Sequence, residues 1–148
     1  NASSISDGAA SVAVLSDRGL DNSSAPVSAK ILGYATAARE PAWFTLAPIL
    51  AIAGLLEQTG MTIDDIDLFE INEAFSCVPM ATMAELSIPH DRVNVFGGAV
   101  ALGHPIGASG CRILVTLLNA MEIRGAKVGI ASLCIGGGEA VAMAVKQP

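Results

Sequence analysis

Apolar residues along the chain fall into blocks separated by turn formers, and the blocks differ in period. Lys30–Ala37 alternates apolar with small or polar residues, the two-residue repeat of a half-buried strand. Arg39-Glu40-Pro41 breaks it. From Pro48 onward, Ile49, Ile52, Ala53 and Leu56 recur at helical spacing, and Gly60 ends the run. Asp67–Ile71 predicts a short strand, followed at once by Asn72-Glu73-Ala74-Phe75. A helix is expected from there to about Leu86, with Pro79 either bending it or marking its first turn. Arg92–Phe96 predicts another strand. Next comes the glycine-rich stretch Gly97–Gly110, which holds His104, and a helix over Pro105–Glu122 with Ile106, Ile113, Leu117 and Met121 on one stripe. Ala126–Cys134 is apolar almost throughout, as a buried strand is. Gly136-Gly137-Gly138 turns the chain, and Ala140–Val145 returns antiparallel to its predecessor. Ahead of these blocks, Ala9–Leu15 reads as a helix end running into a strand, and Asp21–Pro26 as a turn-rich linker.

The order β-α-β-α-β-α-β-β predicts the α/β class: a layered domain with a mixed, five-stranded-type sheet flanked by helices. The 148 residues suffice for one domain with a core. Hydrophobic residues make up 52%, charged residues only 15%, and mean hydropathy is +0.57. So little charge predicts large buried faces, some covered by another chain or by more of this polypeptide. The longest apolar runs are short and broken, so no membrane span is expected. Net charge is −6 with no basic stripe, which argues against nucleic acid. Cys77, Cys111 and Cys134 lie far apart; an odd count without tight spacing points to a reducing compartment, the cytoplasm or an organelle. Three Cys and two His show no paired-ligand spacing, so no metal is expected. The chain starts at Asn1-Ala2-Ser3 with no signal-peptide pattern, and reads as a piece of something longer.

Three segments with reactive or polar residues each follow a predicted strand: Asn72–Phe75, Gly103-His104-Pro105, and Cys134–Gly138. In an α/β sheet such ends can converge on one crevice. Pro105 suits the first helical position, so His104 is expected at the start of a helix, where the dipole favours a neutral imidazole. Asn, His and Cys together suit acyl chemistry: imidazole and carboxamide donate to an oxyanion, and a thiol moves a proton or attacks. The backbone N–H groups of Gly136–Gly138 add a possible anion nest. Each piece also has a plainer reading. Asn72 can be a helix cap, Cys134 an inert strand residue, Gly136–Gly138 a hairpin turn, His104 a turn histidine and Ser3 a capping serine. Cys77 and Cys111 read as core, and His90 as a surface loop residue.

Asn-Glu-Ala-Phe at 72–75, Gly-Gly-Ala-Val-Ala-Leu-Gly-His-Pro at 97–105 and Cys-Ile-Gly-Gly-Gly at 134–138 resemble the three C-terminal signatures of thiolases, the acetyl-CoA acetyltransferase and 3-ketoacyl-CoA thiolase family. The opening Asn1–Ala10 is similar to the segment before their C-terminal domain. The resemblance implies that residues 1–26 end the N-terminal thiolase domain and 27–148 form the C-terminal one. It implies that His104 and a water held by Asn72 form one oxyanion hole, and that His104 helps activate the nucleophilic cysteine. Cys134 would be the acid–base cysteine, the Gly136 N–H part of a second oxyanion hole, Ser3 a contact of the pantetheine arm and Phe75 a wall of its tunnel. CoA and acyl-CoA would be substrates, with no permanently bound cofactor. The nucleophile would lie in an N-terminal half absent from this sequence, and the assembly would be a homo-oligomer, dimer or tetramer. Two departures stand out. Ala140 and Ser4 replace usual glycines, and Glu139 puts a carboxylate near Cys134, which would raise that thiol's pKa if close. The other readings are a non-catalytic, thiolase-like assembly subunit and a ketoacyl-synthase-like condensing enzyme.

Overall fold

A computed structural model describes residues 1–24 and 29–148. The expected domain boundary at 26/27 and the end of the Asp21–Pro26 linker lie outside the described residues. The elements are α1 (Asp17–Asp21), β1 (Lys30–Ala38), α2 (Ala47–Thr59), β2 (Leu68–Ile71), α3 (Cys77–Leu86), α4 (Ala99–Leu102), α5 (Ser109–Arg124), β3 (Val128–Cys134) and β4 (Glu139–Lys146). The sheet runs β1-β4-β3-β2. Its first two steps are antiparallel and its last, β3 to β2, is parallel. This is the mixed, helix-flanked sheet of the α/β class.

Alternation along the strands gives each face its own layer. Phe69, Ile71, Ile130 and Ala142 face Ala51, Ile52 and Leu55 of α2 and Val78 of α3. Leu68, Ala131 and Val145 face Ile113, Leu117 and Met121 of α5. A Cβ at Gly129 would come within 2.7 Å of the Met121 sulfur, so the missing side chain lets α5 lie close to the sheet. The expected β3–β4 hairpin forms, turning through Gly138 at φ 106°, a conformation glycine adopts without strain.

Among the described residues the sheet has four strands, not five. The strand expected at Arg92–Phe96 is reduced to one bridge, Val93 to Phe69, after a 3-10 turn at His90–Arg92. The chain departs from the sheet at Asn94, which takes a left-handed φ of 48°. Ala9–Leu15 forms neither helix nor strand and is largely exposed. On α2 the buried face is Ala47, Pro48, Ala51, Ile52 and Leu55; Ala53 is exposed and Leu56 half-buried, so the stripe is rotated from the expected one. Pro79 lies in the first turn of α3. The helical run Pro41–Thr59 is long and apolar enough, by length and composition alone, to cross a membrane. It breaks at Trp43, and its apolar side is taken up by the sheet.

Candidate active site at the ends of β2 and β3

Asn72 follows β2 directly. Its N–H donates to the Ser132 carbonyl at 2.9 Å, which carries the β2–β3 ladder one residue past the strand. Its side chain is buried, with Nδ2 3.4 Å from His104 Nε2. Asn72 Oδ1 has no hydrogen-bond partner among the described residues.

His104 arrives from the other side. The one-turn helix α4 ends at Leu102, and Gly103 at φ 93° swings the chain round. A Cβ at Gly103 would overlap Ser6 Oγ, so the loop and the N-terminal segment touch there. The His104 N–H donates to the Ser4 carbonyl at 2.9 Å. Contrary to the sequence expectation, His104 does not begin a helix. Ala108 and Ser109 N–H both reach the Pro105 carbonyl, at 2.8 and 2.9 Å, making a separate turn before α5 starts at Ser109. Ile106 consequently leaves the expected stripe and is 71% exposed. The imidazole still reaches the start of α5 through its side chain, with Nδ1 2.6 Å from Ser109 Oγ.

The hydrogen-bond pattern assigns the ring's protons. The Ser109 hydroxyl donates to the Pro105 carbonyl at 3.0 Å. His104 Nδ1–H then donates to Ser109 Oγ, which leaves Nε2 as the acceptor facing Asn72 Nδ2. Burial, and secondarily the charge of Arg112, hold the His104 pKa below its ordinary 6.5. The ring is therefore neutral at pH 7.

Arg112 belongs to a buried pair that the sequence reading missed. Glu70, inside β2, is 2% exposed and its Oε2 lies 3.7 Å from Arg112 Nη1. A glutamate inside Leu-Phe-Glu-Ile and an arginine on an apolar helix were the available signals. Burial pushes the Glu70 carboxyl up to about 7, against the pull of Arg112 and with a smaller push from Glu73. The folded state thus holds a proton that the unfolded state, with its carboxyl near 4.5, has released. The resulting stabilisation is complete below pH 4.5 and is lost as pH rises towards 7. Glu70→Gln in the complete polypeptide is expected to flatten the fall in melting temperature between about pH 5 and about pH 8. Parallel wild-type and variant curves would exclude this linkage.

The N-terminal segment braces both loops. Ser3 N–H and Oγ each donate to the Ala74 carbonyl, both at 3.1 Å. Ala2 bridges Phe75 and Ile5 bridges His104. Phe75 is 40% exposed, and its ring stands edge-on to Phe44 with centroids 6.0 Å apart. A surface hollow beside the His104 loop is lined by Ser6, Gly8, Pro105 and Ile106 among others.

Cys134 ends β3 at the same end of the two parallel strands as Asn72. It is buried in the layer that faces α2 and α3, and makes no hydrogen bond to Asn72 or His104 among the described residues. Burial pushes its thiol pKa up; its own N–H pulls the other way, and Cys77 adds a further upward push. Glu139 is not the cause expected from sequence, since its exposed carboxylate lies over Gly137 instead. Cys77, read as core, is exposed at the first position of α3, and Cys111 is half-buried. Gly136 is exposed in the hairpin turn, and its N–H donates to no acceptor among the described residues. No group of three or more His, Cys, Asp or Glu that could hold a metal occurs among the described residues.

The geometry therefore joins Asn72 to His104, sets Ser3 and Phe75 beside them, and puts Cys134 and Gly136 at the end of the strand next to β2. The thiolase C-terminal domain family matches residues 25–147, and the chain belongs to it. It is 51% identical over its full 148 residues to an acetyl-CoA acetyltransferase of Chromobacterium violaceum, of which it spans 38%. It is 46% identical over 147 residues to the cytosolic acetyl-CoA acetyltransferase of Mus musculus, covering 99% of this chain and 37% of that protein. Among solved structures it is similar to the Acat5 thiolase from Ascaris suum in complex with coenzyme A, with TM-score 0.84 and 48% identity over 90% of this chain and 34% of the other. The chain thus spans under two-fifths of the relatives it matches.

Proposed function

We propose that the complete polypeptide is an acyl-CoA acyltransferase of thiolase type. It cleaves a 3-ketoacyl-CoA with CoA, or condenses two acyl-CoAs. Residues 1–26 close its N-terminal domain and carry Ser3; 27–148 form its C-terminal domain, which supplies the other groups named here except the nucleophile. The observation that carries this reading is the neutral His104 set 3.4 Å from a buried Asn72 at the end of β2.

The steps follow from the proton positions. A cysteine thiol of the N-terminal half adds to the ketone carbon, and His104 Nε2 takes its proton. The ring is now a double donor, Nδ1–H to Ser109 and Nε2–H towards the reacting group. The C2–C3 bond breaks, and the departing acyl-CoA carries its electron pair as an enolate. Nε2–H and a water held by the otherwise unpartnered Asn72 Oδ1 stabilise that oxygen. Cys134 stays protonated through burial and gives its S–H proton to the α-carbon. The Cys134 thiolate left behind is destabilised by the same burial, so it readily takes the proton of the incoming CoA thiol. The CoA sulfur attacks the acyl-enzyme, with the free Gly136 N–H donating to the tetrahedral oxyanion. The nucleophile leaves as a thiolate and recovers its proton from His104.

Ser3 and Phe75 would guide the pantetheine arm, with CoA a substrate rather than a resident cofactor. Exposed Tyr34, Trp43 and Val115 favour burial in the N-terminal half and in a homo-oligomer, dimer or tetramer. The free cysteines and the cytosolic mouse relative favour the cytoplasm. The test is reconstitution. Residues 1–148 alone are expected not to cleave acetoacetyl-CoA, and adding the N-terminal half restores turnover. Robust cleavage by residues 1–148 alone would refute this division of labour.

A further inference from the structure

The loop carrying Asn72 is tied to the loop carrying His104 by two side chains given no role so far. Asn94 follows the single bridge at Val93, and its N–H donates to the Phe69 carbonyl at 2.9 Å. Its side chain then imitates a strand residue. Oδ1 accepts from Ile71 N–H at 2.8 Å, and Nδ2 donates to the Ile71 carbonyl at 2.9 Å. The left-handed φ of 48° aims the amide back at β2, a conformation that asparagine tolerates better than most residues. Nδ2 also donates to Glu73 Oε1 at 3.1 Å. The other carboxylate oxygen, Glu73 Oε2, accepts from Val100 N–H at 3.0 Å, in the first turn of α4. That turn leads through Gly103 to His104.

We propose that Glu73 and Asn94 are positioning residues that fix the spacing of the Asn72–His104 pair, the carboxylate of Glu73 linking the end of β2 to the start of α4. The proposal rests on the functional reading of that pair given above. Asn72 sits between Ile71 and Glu73, and both of those neighbours are held. Residues 99–102 cannot shift without breaking the Val100 contact. Two donors, Asn94 Nδ2–H and Val100 N–H, face the two oxygens of one carboxylate. Glutamine offers one acceptor and one donor there, so either rotamer sets N–H against N–H at one end. Aspartate is one methylene too short to reach both.

Gly98 gives an independent handle. Its backbone is extended, φ −134° and ψ −167°, so alanine fits the conformation. The three nearest atoms to an added Cβ all belong to the Glu73 carboxyl group, and the Cβ would overlap it. Gly98→Ala therefore displaces the Glu73 carboxylate, the group nearest the new methyl.

The experiment uses the complete polypeptide and measures kcat and KM in acetoacetyl-CoA thiolysis, exchange of acetyl-CoA α-protons in D2O, and melting temperature. Glu73→Gln and Gly98→Ala are each expected to lower kcat and α-proton exchange about ten- to hundredfold, the cost of a displacement on the order of 1 Å at a reacting centre. KM for CoA should stay within about threefold, because neither residue belongs to the pantetheine contacts and uniform binding is untouched. Glu73→Ala/Gly98→Ala should match Glu73→Ala within about twofold, since the group that the new methyl displaces is already gone. Wild-type kcat in both single variants overturns the proposal. So does a rate loss that tracks a matching rise in KM with melting near the assay temperature, which is a general structural effect. A Gly98→Ala cost that persists without the Glu73 side chain breaks the link through Glu73. A complete wild-type polypeptide that transfers no acyl group overturns the functional reading instead, and this inference with it.

Discussion

His104→Ala in the complete polypeptide lowers kcat for acetoacetyl-CoA thiolysis by at least about a hundredfold, the range for losing one oxyanion donor that is also a general base. Both roles fall on one nitrogen. Nε2 is held by the Ser109 contact at Nδ1, so the ring cannot swing away from Asn72. Burial and Arg112 keep it neutral. The sign of the pH effect follows. The base form is lost as pH falls through a pKa that lies below 6.5, so the acid limb of kcat/KM lies below 6.5 as well. A His104→Ala rate within tenfold of wild type would remove the imidazole from the chemistry.

Cys134→Ala has the second large effect, again at least about a hundredfold in kcat, in the range for a lost acid–base group. The loss should concentrate in proton transfer at the α-carbon. Acylation of the nucleophile by substrate should survive, so the variant is expected to accumulate label from radioactive acyl-CoA while turning over slowly. Burial favours the thiol over the thiolate, which suits a group that gives a proton and soon recovers one. Cys134→Ser puts a hydroxyl in place of the thiol at similar size, but its pKa lies far above that of a thiol, so serine should rescue little. Near-normal turnover in Cys134→Ala would assign that step to another group.

Much of this was legible in the sequence. Apolar pattern and turn formers located β1, α2, β2, α3, α5, β3 and β4, with β2 and β3, buried on both faces, showing as short apolar runs instead of an alternation. The candidate residues Asn72, His104 and Cys134 stood out as reactive groups after strands. Four features were not legible: the strand at Arg92–Phe96, the start of α5, the Glu70–Arg112 pair and the register of α2. Arg92–Phe96 has strand composition, but Asn94 spends its side chain on the β2 edge and turns the backbone away after one bridge. Pro105 is a good first helical residue, and its carbonyl does accept the Ser109 N–H together with Ala108 N–H and the Ser109 hydroxyl, but this turn stands apart and α5 begins only at Ser109. Glu70 and Arg112 were each visible as a charge in an apolar element, but nothing paired them, because opposite charges 42 positions apart show no local period. Alanine at 53 and leucine at 55 gave little to choose between two registers of α2, and the sheet chose the one that buries Leu55.

The six-residue strap Asn1–Ser6 has a consequence for how the protein acquires its working form. It lies between two loops about 70 and 100 positions away, tied to Ala74 at one and to His104 at the other. Those few ties can open or close without disturbing the ladders of the sheet, so they need not form with it. A nascent domain can therefore be folded by every spectroscopic measure of its sheet and helices while its reaction centre is still unassembled.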